Sequence, residues 1–171
     1  EITTRPPDWV LSGINNGYNL GSDLLYSGTV AAVTEAALRG TRGIALSCDR
    51  GATEALLTAC ARETVALLEE LADTAVPRGL FFNCNFPPQA PFSGRLLTTP
   101  GERQYRNEVV PRTDPKGHAY YWLGGPGFDG IGPITGQEAD ALNSGLVSLS
   151  PLWPRWMSAP SDDFLHLEKH P

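Results

Sequence analysis

From Asp8 to Val30 the chain passes from an apolar run, Trp9-Val10-Leu11, through a loop of small and amide residues to Ser27-Gly28-Thr29, which opens an Ala-rich stretch. A strand that leads through a polar, glycine-spaced loop into a helix N-terminus is how α/β proteins hold phosphates and other anions. The first-turn N–H groups have no partner inside the helix, and the helix dipole favours negative charge there. The position of the loop is early. In an open α/β enzyme a βα unit ordinarily comes before it, and only a few residues do here.

The alternation continues downstream. Ser27 suits an N-cap, and Val30, Val33, Ala37 and Leu38 share one face, which predicts a helix over 27–39 with Gly40 as its stop. Gly43-Ile44-Ala45-Leu46-Ser47 predicts a buried strand, and Leu56, Leu57, Cys60, Val65, Leu67, Leu68 and Leu71 recur at helical spacing over 53–73. After Pro77 and Gly79, residues 80–84 predict a third strand. This βαβαβ order implies a parallel sheet with right-handed crossovers.

Beyond Pro87-Pro88 the character changes. Residues 95–98, 104–110 and 119–123 predict strands of one or two hairpins, with Asp114-Pro115-Lys116-Gly117 as a turn. A short helix over 137–143 ending at Gly145 and a period-two strand over 146–150 follow, and from Pro151 the Trp- and Pro-bearing tail predicts an extended arm. The expected organisation is one domain over 1–171, with a β-hairpin region at 95–125 and a C-terminal arm at 151–171.

The net charge of −6, with Lys and Arg scattered, argues against binding of a nucleic-acid polymer. An acidic protein that handles anions does so with backbone N–H groups or a metal ion, which points to small ligands. Cys48, Cys60 and Cys84 are too few and too widely spaced for a disulfide framework or zinc knuckle, and read as buried thiols. No run approaches the roughly 18 apolar residues of a membrane span and no signal-peptide pattern opens the chain, so a cytoplasmic protein without membrane contact is expected. The chain begins at Glu1 and its sole Met is Met157, so it does not read as a primary translation product.

Asn15, Asn16 and Asn19 fit either of two roles: oxygen donors to a hard cation, or residues that suit the turns of the loop. Ser27-Gly28-Thr29 reads as an ordinary N-cap, which Ser27 alone explains, or as an anion cradle, since Gly28 has no Cβ to keep an anion from the backbone; by itself the tripeptide is weak evidence for the cradle. Asp162-Asp163 in the tail reads as solvated acids or a helix start, and His118 as an exposed turn residue. His166 and His170 have the i, i+4 spacing of a metal pair but no helix-forming run around them. Tyr120, Tyr121 and Trp122 suggest an oligomer contact ahead of base stacking.

Residues 8–30, DWVLSGINNGYNLGSDLLYSGTV after Pro7, closely resemble the SurE family of metal-dependent nucleotidases. The resemblance continues in order through Gly43-Ile44-Ala45-Leu46-Ser47, Asn83-Cys84-Asn85-Phe86-Pro87, Arg112 with Asp114-Pro115, Tyr120 to Gly125, and Gly145 to Leu152. It implies a three-layer α/β/α, Rossmann-like fold with a mostly parallel sheet, a projecting β-hairpin and a C-terminal arm. It further implies a divalent-metal-dependent phosphomonoesterase (Mg²⁺ or Mn²⁺) acting on nucleoside monophosphates and other small phosphate esters, assembled as a homodimer or homotetramer. On this resemblance Asn15 ligates the metal, and Ser27, Gly28 and Thr29 line the phosphate pocket as the catalytic loop. The family's paired aspartates and a metal-ligating serine belong to an amino-terminal portion that these residues do not include. The 171 residues alone are therefore expected to be inactive, and a binding or assembly module is the alternative. Glu138 stands near a position where the family pattern carries Asp, which implies a lost hydrogen bond or a changed pocket.

Overall fold

The structure, a computed structural model, describes residues 5, 7–72, 74–103, 109–123 and 134–154. Trp9–Asn16 forms β1, a short 3-10 helix spans Gly21–Leu25, and Gly28–Leu38 forms α1. β2 (Arg42–Cys48), α2 (Glu54–Ala72) and β3 (Phe81–Asn85) complete the predicted βαβαβ unit. Ser27 caps α1 as expected, its Oγ accepting the Val30 N–H at 3.2 Å, and Gly40 leaves the helix with φ 77°.

β1 pairs in parallel with β2, and β2 with β3. Residues 43–48 of β2 and all of β3 are buried, which explains why the two strands read as near-continuous small and apolar runs. Alternate residues face opposite layers. Ala45 and Phe81 pack with Val30, Val33 and Ala37 of α1, whereas Ile44, Leu46, Phe82 and Cys84 pack with Leu56, Cys60 and Leu67 of α2. Gly43 lies under α1, where a Cβ would come within 2.7 Å of Val33 Cβ. The two helices therefore cover opposite faces although the strands step across the sheet in one direction. The crossovers must then have opposite hands, and the expectation that both are right-handed fails for one of them. α1 already fills the Gly43–Ala45 face, and the apolar face left over is the one α2 covers.

The second half departs further from expectation. β4 (Arg95–Leu97) is not a hairpin strand but joins the main sheet, parallel to β9 (Val147–Leu152). β9 in turn runs antiparallel to β3, giving the order β1-β2-β3-β9-β4 in a mixed, mostly parallel sheet. β5 (Glu102–Arg103) pairs with β8 (Ile134–Thr135), and α3 (Gln137–Asn143) follows on the route to β9. β6 (Val109–Thr113) and β7 (Ala119–Leu123) form a separate antiparallel hairpin. Its turn is closed by Asp114, whose Oδ1 accepts the N–H groups of Lys116 and His118, each at 2.8 Å. His118 Nδ1 lies 3.0 Å from Asp114 Oδ2, so this exposed histidine serves the turn. Residues 104–108 of the expected strand, and Asp162, Asp163, His166 and His170 of the arm, lie outside the described residues.

Candidate phosphate-binding and active site

Asn15 stands at the carboxyl end of β1, opposite Ser47 of β2 in register. Its Nδ2 donates to the Gly17 carbonyl at 2.8 Å, which fixes the amide's orientation and leaves Oδ1 as the end with no donor among the described residues. The register of β1 against β2 shifts between Ser12 and Asn15, and that irregularity needs Gly13, whose φ is 121° and where a Cβ would overlap the Leu46 carbonyl oxygen. The other two amides anchor the loop. Asn16 Oδ1 accepts the Gly51 N–H at 2.7 Å, and buried Asn19 donates from Nδ2 to Ser47 Oγ at 2.7 Å.

Beneath the loop lies a polar layer that the sequence analysis did not assign. Asn85 meets the Asn19 backbone as a neighbouring strand would: its Oδ1 accepts the Asn19 N–H at 3.0 Å and its Nδ2 donates to the Asn19 carbonyl at 3.0 Å. Asn83 Nδ2 donates to the same carbonyl at 2.9 Å, while Asn83 Oδ1 is buried without a partner among the described residues. Glu138, fully buried in the first turn of α3, takes four donors. The signal was present in the sequence: Asn83 and Asn85 interrupt an apolar strand at i, i+2, which places both amides on one face.

The loop then descends through the 3-10 helix, where buried Asp23 accepts the Leu20 N–H at 3.3 Å, to Ser27. Ser27 Oγ is an acceptor in the cap, which leaves its hydroxyl proton available to a ligand. Among the described residues no acceptor meets the N–H groups of Gly28 and Thr29. A Cβ at Gly28 would find no atom within 4 Å, so open space lies over the start of the helix. Ser27, Gly28 and Thr29 thus present donors, and they follow the loop that leaves the same carboxyl end of β1 that carries Asn15.

The buried cysteines do not extend this site. Burial raises all three thiols; Cys60 is pushed up to about 12, with Cys48 adding to the effect, and Cys48 and Cys84 move the same way. Burial likewise raises the Tyr18 hydroxyl, with Asp49 contributing. Asp49 places a carboxylate at the end of β2, one residue past the register partner of Asn16. No group of three or more His, Cys, Asp or Glu side chains suited to a metal ion occurs among the described residues. Asn15 supplies one hard oxygen donor, and by themselves the described residues do not make a divalent-cation shell.

A mixed, mostly parallel sheet between helical layers, with a loop and a helix N-terminus at its carboxyl edge, defines a three-layer α/β/α protein. The family model for Survival protein SurE matches residues 1–107. The chain belongs to the SurE family. A protein named 5'-nucleotidase SurE from Anaeromyxobacter sp. (strain Fw109-5) is 45% identical over 147 residues, covering 85% of this chain and 57% of that protein. Another of that name from Geobacter sulfurreducens is 39% identical over 155 residues, covering 88% of this chain and 58% of its own length. The crystal structure of the SurE protein from Aquifex aeolicus superposes with a TM-score of 0.75 at 30% identity, covering 95% of this chain and 66% of that one. This chain spans 57% and 58% of the length of these two curated relatives.

Proposed function

We propose that the chain forms the larger part of a divalent-metal-dependent phosphomonoesterase, using Mg²⁺ or Mn²⁺, that hydrolyses nucleoside monophosphates and other small phosphate esters. The observation that carries the reading is that the N–H groups of Gly28 and Thr29 meet no acceptor among the described residues, with open space at Gly28, in a chain whose relatives bear the name 5'-nucleotidase SurE.

In this reading the Gly28 and Thr29 N–H groups and the Ser27 and Thr29 hydroxyls take the phosphoryl oxygens. They sit at the positive end of the α1 dipole, where an anion is favoured without cationic side chains. Asn15 Oδ1 is one ligand of the cation, and carboxylates from outside these 171 residues complete its shell. When bound, the cation neutralises phosphoryl charge and lowers the barrier to in-line displacement. The hairpin β6–β7, with Tyr121 70% and Trp122 59% exposed, fits a contact between subunits of a homodimer or homotetramer.

The test is phosphate release from several nucleoside monophosphates by the full-length protein with Mg²⁺ or Mn²⁺. Asn15→Ala removes only the bond to the Gly17 carbonyl from the fold, and is expected to lower activity at least about 100-fold, the scale of several kcal/mol of charge stabilisation. Unchanged activity in Asn15→Ala would exclude the ligand role.

A further inference from the structure

Glu138 has no exposed surface, and its carboxyl gathers donors from four separate segments. Oε2 accepts the N–H of Gly21, at the start of the 3-10 helix, at 2.9 Å and the N–H of Gly101, beyond β4, at 3.0 Å. Oε1 faces Asn83 Nδ2 of β3 at 3.3 Å and Ser150 Oγ of β9 at 3.4 Å. A buried carboxyl is costly unless its oxygens are bonded, so a place that keeps one has a use for the tie. Here the tie is to the loop. Gly21 opens the turn that ends directly before Ser27, and two residues upstream the Asn19 backbone is held by Asn83 and Asn85. The segment carrying the phosphate donors thus hangs from two adjacent anchors, one of them this side chain.

We propose that Glu138 is a positioning residue for the Ser27-Gly28-Thr29 loop: it touches neither phosphate nor cation, and acts by fixing Gly21 against Gly101, Asn83 and Ser150. This rests on the reading of that loop as the phosphate site. Glu138→Gln keeps an oxygen for Gly21 and Gly101 and turns an amide towards Asn83, whose rotation would bring its unpartnered Oδ1 to meet it. Glu138→Ala leaves both glycine N–H groups without that acceptor.

The experiment measures kcat and KM for AMP and for 4-nitrophenyl phosphate with the full-length protein and Mg²⁺ or Mn²⁺, in wild type, Glu138→Ala, Glu138→Gln and the core control Leu67→Ala. A loosened loop holds the phosphoryl group shared by both substrates less well, so Glu138→Ala raises KM for both by about tenfold or more, and Glu138→Gln by about threefold. A residue of merely structural importance reduces the number of active molecules, which lowers apparent kcat and leaves KM unchanged; Leu67→Ala shows that pattern. Unchanged KM in the Glu138 variants overturns the inference, and if Glu138→Ala does not fold, Glu138→Gln decides alone. A wild type that releases phosphate from neither substrate overturns the phosphate reading itself, and this inference with it.

Discussion

Asn83 and Asn85 are the same residue type on the same strand and face, both with no exposed surface, yet the structure assigns them unequal costs of removal. Asn85→Ala strips the Asn19 N–H of its acceptor and the Asn19 carbonyl of one of two donors. A buried N–H left unpaired costs about 1–3 kcal/mol, and a lost second bond about 1 kcal/mol. With a small cavity added, the expected loss is about 3 kcal/mol. Asn83→Ala removes one donor from a carbonyl that Asn85 still serves and a 3.3 Å contact to Glu138, and it also removes an acceptor that had no partner. It leaves a small cavity as well, which the release of that unsatisfied acceptor offsets, so its expected loss is about 1 kcal/mol. For a domain of this size each kcal/mol moves the melting temperature by about 2–4 °C, so Asn85→Ala melts about 6–12 °C lower than wild type and Asn83→Ala about 2–4 °C lower. Paired thermal and urea unfolding curves of the two variants are the assay. Equal losses, or a larger one for Asn83→Ala, would refute the account of the loop anchor.

Two further predictions concern folding. Gly13→Ala places a Cβ against the Leu46 carbonyl oxygen at a φ of 121°, so a loss of more than about 3 kcal/mol is expected in urea unfolding, and wild-type stability would contradict the geometry of the register shift within β1. Burial raises the Glu138 carboxyl above its ordinary range, against the lowering by its hydrogen bonds from Gly101, Gly21, Ser150 and Asn83. As pH rises above about 4.5 the unfolded chain gives up this proton before the folded one does, so the contribution of Glu138 to stability falls. Urea midpoints of wild type and Glu138→Gln between pH 4 and 7 should diverge in favour of the glutamine variant as pH rises, and divergence the other way would show the sign to be wrong.

The βαβαβ half of the fold was legible because its signals are local. Ser27 caps, Gly40 stops, and the apolar spacing of α2 needs no partner to be seen. The hand of the crossovers was not legible, since it depends on which face of β2 each helix covers. β4 was misplaced for a similar reason: three residues next to a Gly/Pro-rich stretch carry no mark of the distant strand, β9, that they join. At the site, the donors of Ser27, Gly28 and Thr29 were visible as a strand–loop–helix pattern. The carboxyl of Glu138 was not, because its partners Gly21, Asn83, Gly101 and Ser150 lie between 12 and 117 residues away along the chain.

In the proposed function a phosphate sits in the open space over Gly28. Gly28→Ala tests it most directly, because beyond its chain neighbours and its own helix's backbone the new methyl group would meet no atom of the described residues within 4 Å. Folding should therefore be unaffected within about 0.5 kcal/mol, as for a substitution that makes no contact. In the full-length protein with Mg²⁺ or Mn²⁺, the same methyl group should obstruct the anion and reduce kcat/KM for AMP by at least about tenfold. Wild-type kcat/KM in a normally folded Gly28→Ala protein would show that phosphate binds elsewhere.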